Sequence, residues 1–171
     1  MALVEFRSIL KRDWLWLDDA AAFAPGAPVV VTLARLQGEA ETLFARAGAV
    51  GVVLAAGAPA EALAPHLDRL AMVALDFPSF ADGRAYSNAR VLRDHLGFLG
   101  EIRAVGDVLA DQLGFMARCG FSSAALAPHV DEAVAARALA RYSVAYQAAS
   151  DDKAPAHRLR RMPPLKSREV A

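Results

Sequence analysis

Runs of apolar residues alternate with helical periodicities along most of the chain. Val29-Val30-Val31-Thr32-Leu33 reads as a buried strand. Leu36, Ala40, Leu43 and Ala47 follow at i, i+4, i+7 and i+11, one face of a helix. Gly48 then suits the left-handed position that ends a helix. Val50-Gly51-Val52-Val53-Leu54 is a second strand, and Leu63, Leu67 and Leu70 mark a second helix with Pro59 near its first turn. Met72-Val73-Ala74-Leu75-Asp76 is a third strand. The loop 77–83 leads into a helix with Ala85, Ala89, Leu92 and Leu96 inward, stopped by Gly97. Glu101-Ile102-Arg103-Ala104-Val105 is a fourth, weaker strand. Asp107 stands where it caps a helix carrying Leu109, Leu113 and Met116, which Gly120 stops. The run 121–126 is a fifth strand, and Ala135, Leu139, Tyr142 and Tyr146 define a last helix whose tyrosines face the core.

Strand starts near 29, 50, 71, 101 and 121 give about five repeated strand–helix units. Alternation of this kind predicts an α/β fold with parallel pairing and right-handed crossovers. Helices covering both faces of the sheet would account for the continuous Val/Leu runs. Five units are too few for a closed eight-stranded barrel. The expected architecture is an open parallel sheet; the alternative is a half-barrel that completes itself by dimerising. Trp14-Leu15-Trp16-Leu17 adds an N-terminal strand or forms a surface hairpin edge. Residues 1–150 read as a single α/β domain and 151–171 as a flexible basic C-terminal tail. The tail has three prolines and no apolar period, and Arg158, Arg160, Arg161, Lys166 and Arg168 stand in it without an acid over 154–168.

Composition narrows the function classes. The chain of 171 residues is 56% hydrophobic with a formal net charge of zero, which speaks for a folded domain and against a general nucleic-acid or membrane binder. Cys119 is the only cysteine, so an internal disulfide and a four-cysteine iron–sulfur site are excluded. His66, His95, His129 and His157 show no zinc-ligand spacing. Charges interrupt every early apolar run, leaving no signal-peptide core and no membrane-spanning stretch, and a cytoplasmic location is the expectation.

Chemistry concentrates in two stretches. Phe80-Ala81-Asp82-Gly83-Arg84-Ala85-Tyr86-Ser87-Asn88-Ala89-Arg90 follows the C-terminal end of a parallel strand, where ligands bind in α/β sheets. Arg84 offers a forked donor, Ser87 a hydroxyl, and the amides after Gly83 a helix N-terminus, together an oxyanion site. In the ordinary alternative Asp82 caps the helix, Gly83 makes the turn and Arg84 is solvated or paired. The second stretch holds Asp107, Asp111 and Gln112 at the equivalent edge one unit on. Asp107 and Asp111, one helical turn apart, suit acid–base work or a metal; the competing reading makes Asp107 an N-cap and Asp111 a first-turn acid. Cys119 falls at a helix C-terminus, where the dipole disfavours a thiolate, and is expected to be buried and structural. The chain has no nucleophile elbow, P-loop or dinucleotide fingerprint, and neither a metal nor a cofactor is expected.

The block Leu75-Asp76-Phe77-Pro78-Ser79-Phe80-Ala81-Asp82-Gly83-Arg84-Ala85-Tyr86-Ser87, then Arg90, Leu92, Arg93, Leu96-Gly97, Glu101-Ile102-Arg103-Ala104-Val105-Gly106-Asp107-Val108, Asp111-Gln112-Leu113 and Arg118-Cys119-Gly120-Phe121, resembles a bacterial family, domain-of-unknown-function family 934. The likeness spans roughly residues 10–130. Members of that family sit beside genes for sulfite reductase and the reductases of activated sulfate. The resemblance implies a setting, assimilatory sulfate and sulfite reduction, and brings no catalytic residues with it.

Two functions compete at this level. In the first, the protein is an accessory subunit that binds sulfite reductase, its electron donor or another sulfur-assimilation enzyme. Arg84, Tyr86, Arg90 and Arg93 would then be interface anchors and the basic tail an electrostatic arm. In the second, the polar edge binds a small oxyanion, with Asp107 orienting Arg84 or acting as a base. No nucleic-acid or membrane partner is expected, and self-association is open.

Overall fold

A computed structural model describes residues 3–6, 12–22, 25–151 and 153–161. Seven strands form one sheet: β1 (Leu3–Glu5), β2 (Leu15–Trp16), β3 (Val29–Thr32), β4 (Val50–Leu54), β5 (Met72–Phe77), β6 (Glu101–Gly106) and β7 (Ser123–Ala125). Their order is β1-β7-β6-β5-β4-β3-β2. Strands β2 to β7 pair in parallel with their sequence neighbours. β1 runs antiparallel along the free side of β7, with Leu3 opposite Ala125 and Glu5 opposite Ser123. The sheet is therefore mixed, a correction to the expected all-parallel sheet. The short β1 returns along an edge that no crossover strand occupies.

The order of strands also favours curvature. β1 and β2 follow one another in sequence yet lie at opposite edges. Six inter-strand steps at about 4.8 Å make roughly 29 Å across a flat sheet. The link from Phe6 to Leu15 reaches at most about 30 Å when fully extended. Curling shortens that chord, and the sheet is a half-barrel.

Helical segments connect the strands. α1 (Leu33–Ala45) starts at Thr32, whose Oγ1 accepts from the Arg35 N–H at 3.2 Å, and buries Leu36 and Leu43. A 3₁₀ helix (Ala60–His66) follows β4, ending early around Pro65. α2 (Arg84–Arg90) runs on into a π-helical turn (Val91–His95). A 3₁₀ turn (Ala110–Gln112) leads into α3 (Leu113–Arg118). α4 (Glu132–Ala140) is capped by Asp131, which accepts from the Ala133 N–H at 2.6 Å, and α5 (Ala156–Leu159) is a single turn.

Sequential strand order sends right-handed crossovers to one face only. The packing agrees. The larger core joins helical Leu36, Leu43, Leu63, Leu92, Leu113 and Met116 to strand residues such as Val52, Leu75, Phe77 and Ile102. The second core joins Trp14, Val30, Met72, Ala74, Val105 and Ala125, none of them helical. Helices thus do not sandwich the sheet as expected. The inner face closes by curling on itself with Trp14 laid against it, and a Cβ on Gly51 would sit 3.2 Å from the indole. On the same face Arg103 Nε donates to Glu101 Oε1 at 2.7 Å, and Ser123 Oγ donates to that oxygen at 2.6 Å.

Three local expectations are corrected. Gly48 does not take a left-handed φ. Glycine is required there because a Cβ would lie 2.2 Å from the Ala27 carbonyl oxygen. Asp107 does not cap a helix, since the next helical turn begins at Ala110. The last helix stops at Ala140, so Tyr142 and Tyr146 leave the apolar period and stand 72% and 85% exposed. Beyond it, Arg118 holds the chain by an ion pair to Asp151 at 3.1 Å, and the Ser150 N–H donates to the Arg118 carbonyl. Arg158, Arg160 and Arg161 of the basic tail lie on and just after α5, whereas Lys166 and Arg168 lie outside the described residues.

Candidate functional site

The C-terminal edge of the parallel strands brings the two polar stretches together. β5 and β6 end side by side, with Phe77 opposite Gly106. Gly106 has φ 94°, and a Cβ there would lie 2.4 Å from the Phe77 carbonyl oxygen, so only glycine lets the strands end this close. The Asp107 N–H then donates to that carbonyl at 2.8 Å. This turns the Asp107 carboxylate toward the neighbouring loop, where Oδ2 accepts from the Phe80 N–H at 3.0 Å. Gln112 closes the other side. Its Nε2 donates to the Phe80 carbonyl at 2.9 Å, while its Oε1 accepts from the Leu109 N–H at 3.0 Å. Both backbone polar groups of Phe80 are therefore held from the next βα loop, yet its side chain is 58% exposed. The loop is fixed and its ring faces outward.

Arg84 and Asp82 form a local pair. Arg84 Nε lies 3.0 Å and Nη2 2.5 Å from Asp82 oxygens, and Asp82 Oδ1 also accepts from the Arg84 N–H at 3.1 Å. These hydrogen bonds hold the Asp82 carboxyl down at about 2. This carboxylate takes the Nε and Nη2 side of the guanidinium, the forked edge that an oxyanion would otherwise use. α2, at seven residues, gives the edge only a short helical start. Gly83 precedes it in a right-handed conformation, and Ser87 is exposed.

Tyr86 belongs to the packing beneath. Its ring lies 5.2 Å from Phe77, 5.0 Å from Phe115 and 6.2 Å from Phe121, in edge-on and tilted contacts. Burial, then Cys119 and Asp111, push its hydroxyl up to about 12. Phe115 is 59% exposed and extends the aromatic surface from Tyr86 toward α3. Asp111 is an exposed first-turn acid, and shares no helix with Asp107. Arg90 pairs with Asp94 at 2.8 Å on the outer side of α2. Cys119 is buried at the end of α3, and burial pushes its thiol up.

Arg93 sits at the opposite end of the strands and is a staple. Nε donates to the Gly120 carbonyl at 2.8 Å, Nη1 to the Phe98 and Gly100 carbonyls, and Nη2 to Ser122 Oγ at 2.8 Å. Asn88 plays a similar part under the edge. It donates to the Ala58 carbonyl at 3.0 Å and accepts from the Ala60 N–H at 3.3 Å, tying α2 to the loop after β4. Sequence reasoning missed Asn88 and the Phe80 clamp because their partners lie about thirty residues away.

The edge thus offers an outward aromatic group framed by charges, with Asp82, Asp107, Arg84 and Gln112 already engaged. Among the described residues no three His, Cys, Asp or Glu side chains gather to hold a metal ion, and no helix is long and apolar enough to cross a membrane. No curated protein matches the chain. One family does match, over residues 51–157, a span that starts within β4, holds β5 to β7 and includes every residue of this edge. The chain belongs to that family, described as a bacterial protein of unknown function (DUF934).

Proposed function

We propose that this protein is an accessory, partner-binding protein of sulfite reduction, and that the edge bearing Phe80 docks sulfite reductase or its electron donor. The sulfur setting rests on the resemblance of the 75–121 region. The docking role rests on one observation: Phe80 is exposed while its N–H and carbonyl are both fixed by Asp107 and Gln112. Interface anchors are typically aromatic groups whose position is set before binding, because little freedom is then lost on docking. Burying such a ring contributes about 2–3 kcal/mol. An oxyanion site is the weaker reading, since the Arg84 fork is already engaged by Asp82.

The test is titration of the full-length protein into purified sulfite reductase from the same bacterium, by calorimetry, with Phe80→Ser alongside. Tight binding that falls about tenfold or more in the variant supports the reading. Absence of binding to both sulfite reductase and its electron donor rejects it.

A further inference from the structure

Beyond α4 the chain is fastened by polar contacts and not by the core. None of residues 141–151 is buried, and none joins either apolar cluster. The fastening gathers at Arg118. Its Nη1 donates to Asp151 Oδ2 at 3.1 Å and its Nη2 to the Gln147 carbonyl. The Ser150 N–H donates to the Arg118 carbonyl at 3.1 Å. Ser150 Oγ donates to Asp94 Oδ2 at 3.0 Å, an oxygen that Arg90 also holds at 2.8 Å. A Cβ on Gly120 would lie 3.3 Å from that of Ser150. The segment is therefore a strap laid across residues 118–120, the stretch that holds buried Cys119. The Ala156 N–H donates to the Ala145 carbonyl at 2.8 Å and ties α5 to the strap.

The latch is tight on one side and wasteful on the other. The Arg118 and Asp151 side chains are only 22% and 11% exposed, so the pair is poorly screened by solvent. Yet Asp151 Oδ1 is buried and meets no donor. A buried acceptor left without a donor carries a desolvation cost, which opening relieves. Segments with few buried apolar contacts also open at a free energy well below that of global unfolding.

We propose that residues 141–151 are a releasable strap. Breaking the Arg118–Asp151 latch lifts it from the end of α3 while the sheet stays folded, and bares Arg118 together with Cys119. In the closed form the guanidinium is spent on Asp151 and Gln147, and the thiol is covered. In the open form a cation and a thiol, neighbours in sequence, both reach solvent. An anionic group that takes Arg118 does so at the expense of Asp151, and so draws the equilibrium towards the open form. Gly120 precedes β7, whereas Phe80 follows β5, so the strap and the Phe80 edge lie at opposite ends of the parallel strands. This inference stands or falls apart from the proposed docking role.

Native-state hydrogen exchange of the full-length protein tests it. The amides of Ser150 and Ala156 are expected to exchange through an opening that low urea hardly accelerates, while those of β5 exchange only through a urea-dependent global opening. Asp151→Asn and Arg118→Gln are each expected to speed exchange at Ser150 about tenfold or more, the order of factor that one charge-assisted hydrogen bond supplies. Alkylation of Cys119 by neutral iodoacetamide should rise by a similar factor, with the global urea midpoint little changed. The two substitutions alter the field at Cys119 in opposite senses, so acceleration by both reports opening and not a change in thiol ionisation. Strap amides that exchange only with global unfolding overturn the proposal. So do variants no faster than the wild type, a Cys119 that stays unreactive while the Ser150 amide exchanges faster, or acceleration matched by an equal loss of global stability.

Discussion

Glu101 and Arg103 face each other on the inner side of β6 at 2.7 Å, with side chains only 6% and 10% exposed. Such a pair is costly to break from one side, because the remaining charge stays buried without a counter-ion. Glu101→Gln keeps the shape and removes the charge, and is expected to destabilise the fold by about 3 kcal/mol or more. Urea unfolding should show a lower midpoint at unchanged slope. Replacing both residues by apolar ones of similar size should recover much of the loss.

Arg93→Lys is expected to behave as a severe change. Lysine carries one compact ammonium and cannot reproduce the forked donation to Gly120, Phe98, Gly100 and Ser122. A loss of about 2–3 kcal/mol follows from removing charge-assisted hydrogen bonds to part-buried acceptors. Hydrogen exchange at the amides of 97–100 should accelerate more than elsewhere.

Tyr86 gives the protein an alkaline limit. Its hydroxyl titrates at about 12 in the fold because burial, then Cys119 and Asp111, oppose ionisation, and at about 10 in an unfolded chain. The unfolded state therefore loses its proton first. The contribution is fully present below about pH 10 and is lost as pH rises towards 12. Absorbance titration of tyrosinate should show a late step near pH 12 that Tyr86→Phe removes.

Gln112→Ala and Phe80→Ala separate order from contact. Both positions are partly exposed at the edge, so each should change stability by less than about 2 kcal/mol. Phe80→Ala deletes the ring. Gln112→Ala leaves the ring but frees the carbonyl that holds it. Partner titration should find both variants weaker, with the Gln112 variant showing the larger entropic penalty.

The strands that carry the fold were legible because burial leaves unbroken Val and Leu runs, as in β4 and β5. β1 was not, since Leu3-Val4-Glu5 is too short to show alternation and is specified by its partner in β7. Curvature was legible only as the alternative half-barrel, which the curled sheet bears out: a strand's periodicity says which residues share a face, never which strand lies beside it. Glu101 and Arg103 made β6 look weak, although their charges answer each other inside the sheet. Tyr142 and Tyr146 kept the helical spacing past the point where α4 ends. At the edge, Arg84, Asp107 and Gln112 were visible as chemistry, but their engagement with Asp82 and Phe80 depends on where two loops meet. The sulfur setting came from resemblance and from no residue's chemistry.

The placing of β1 and β2 at the two ends of the sheet has a consequence for biosynthesis. Leu3–Glu5 leaves the ribosome before the other strands of this sheet, yet its partner Ser123–Ala125 is made more than a hundred residues later. Until then, the growing sheet ends in a row of unpaired backbone donors and acceptors, a template on which another nascent chain can add a strand. The earliest segment of this sheet is thus the last to pair, and its three residues become the outermost strand beside β7 as assembly finishes.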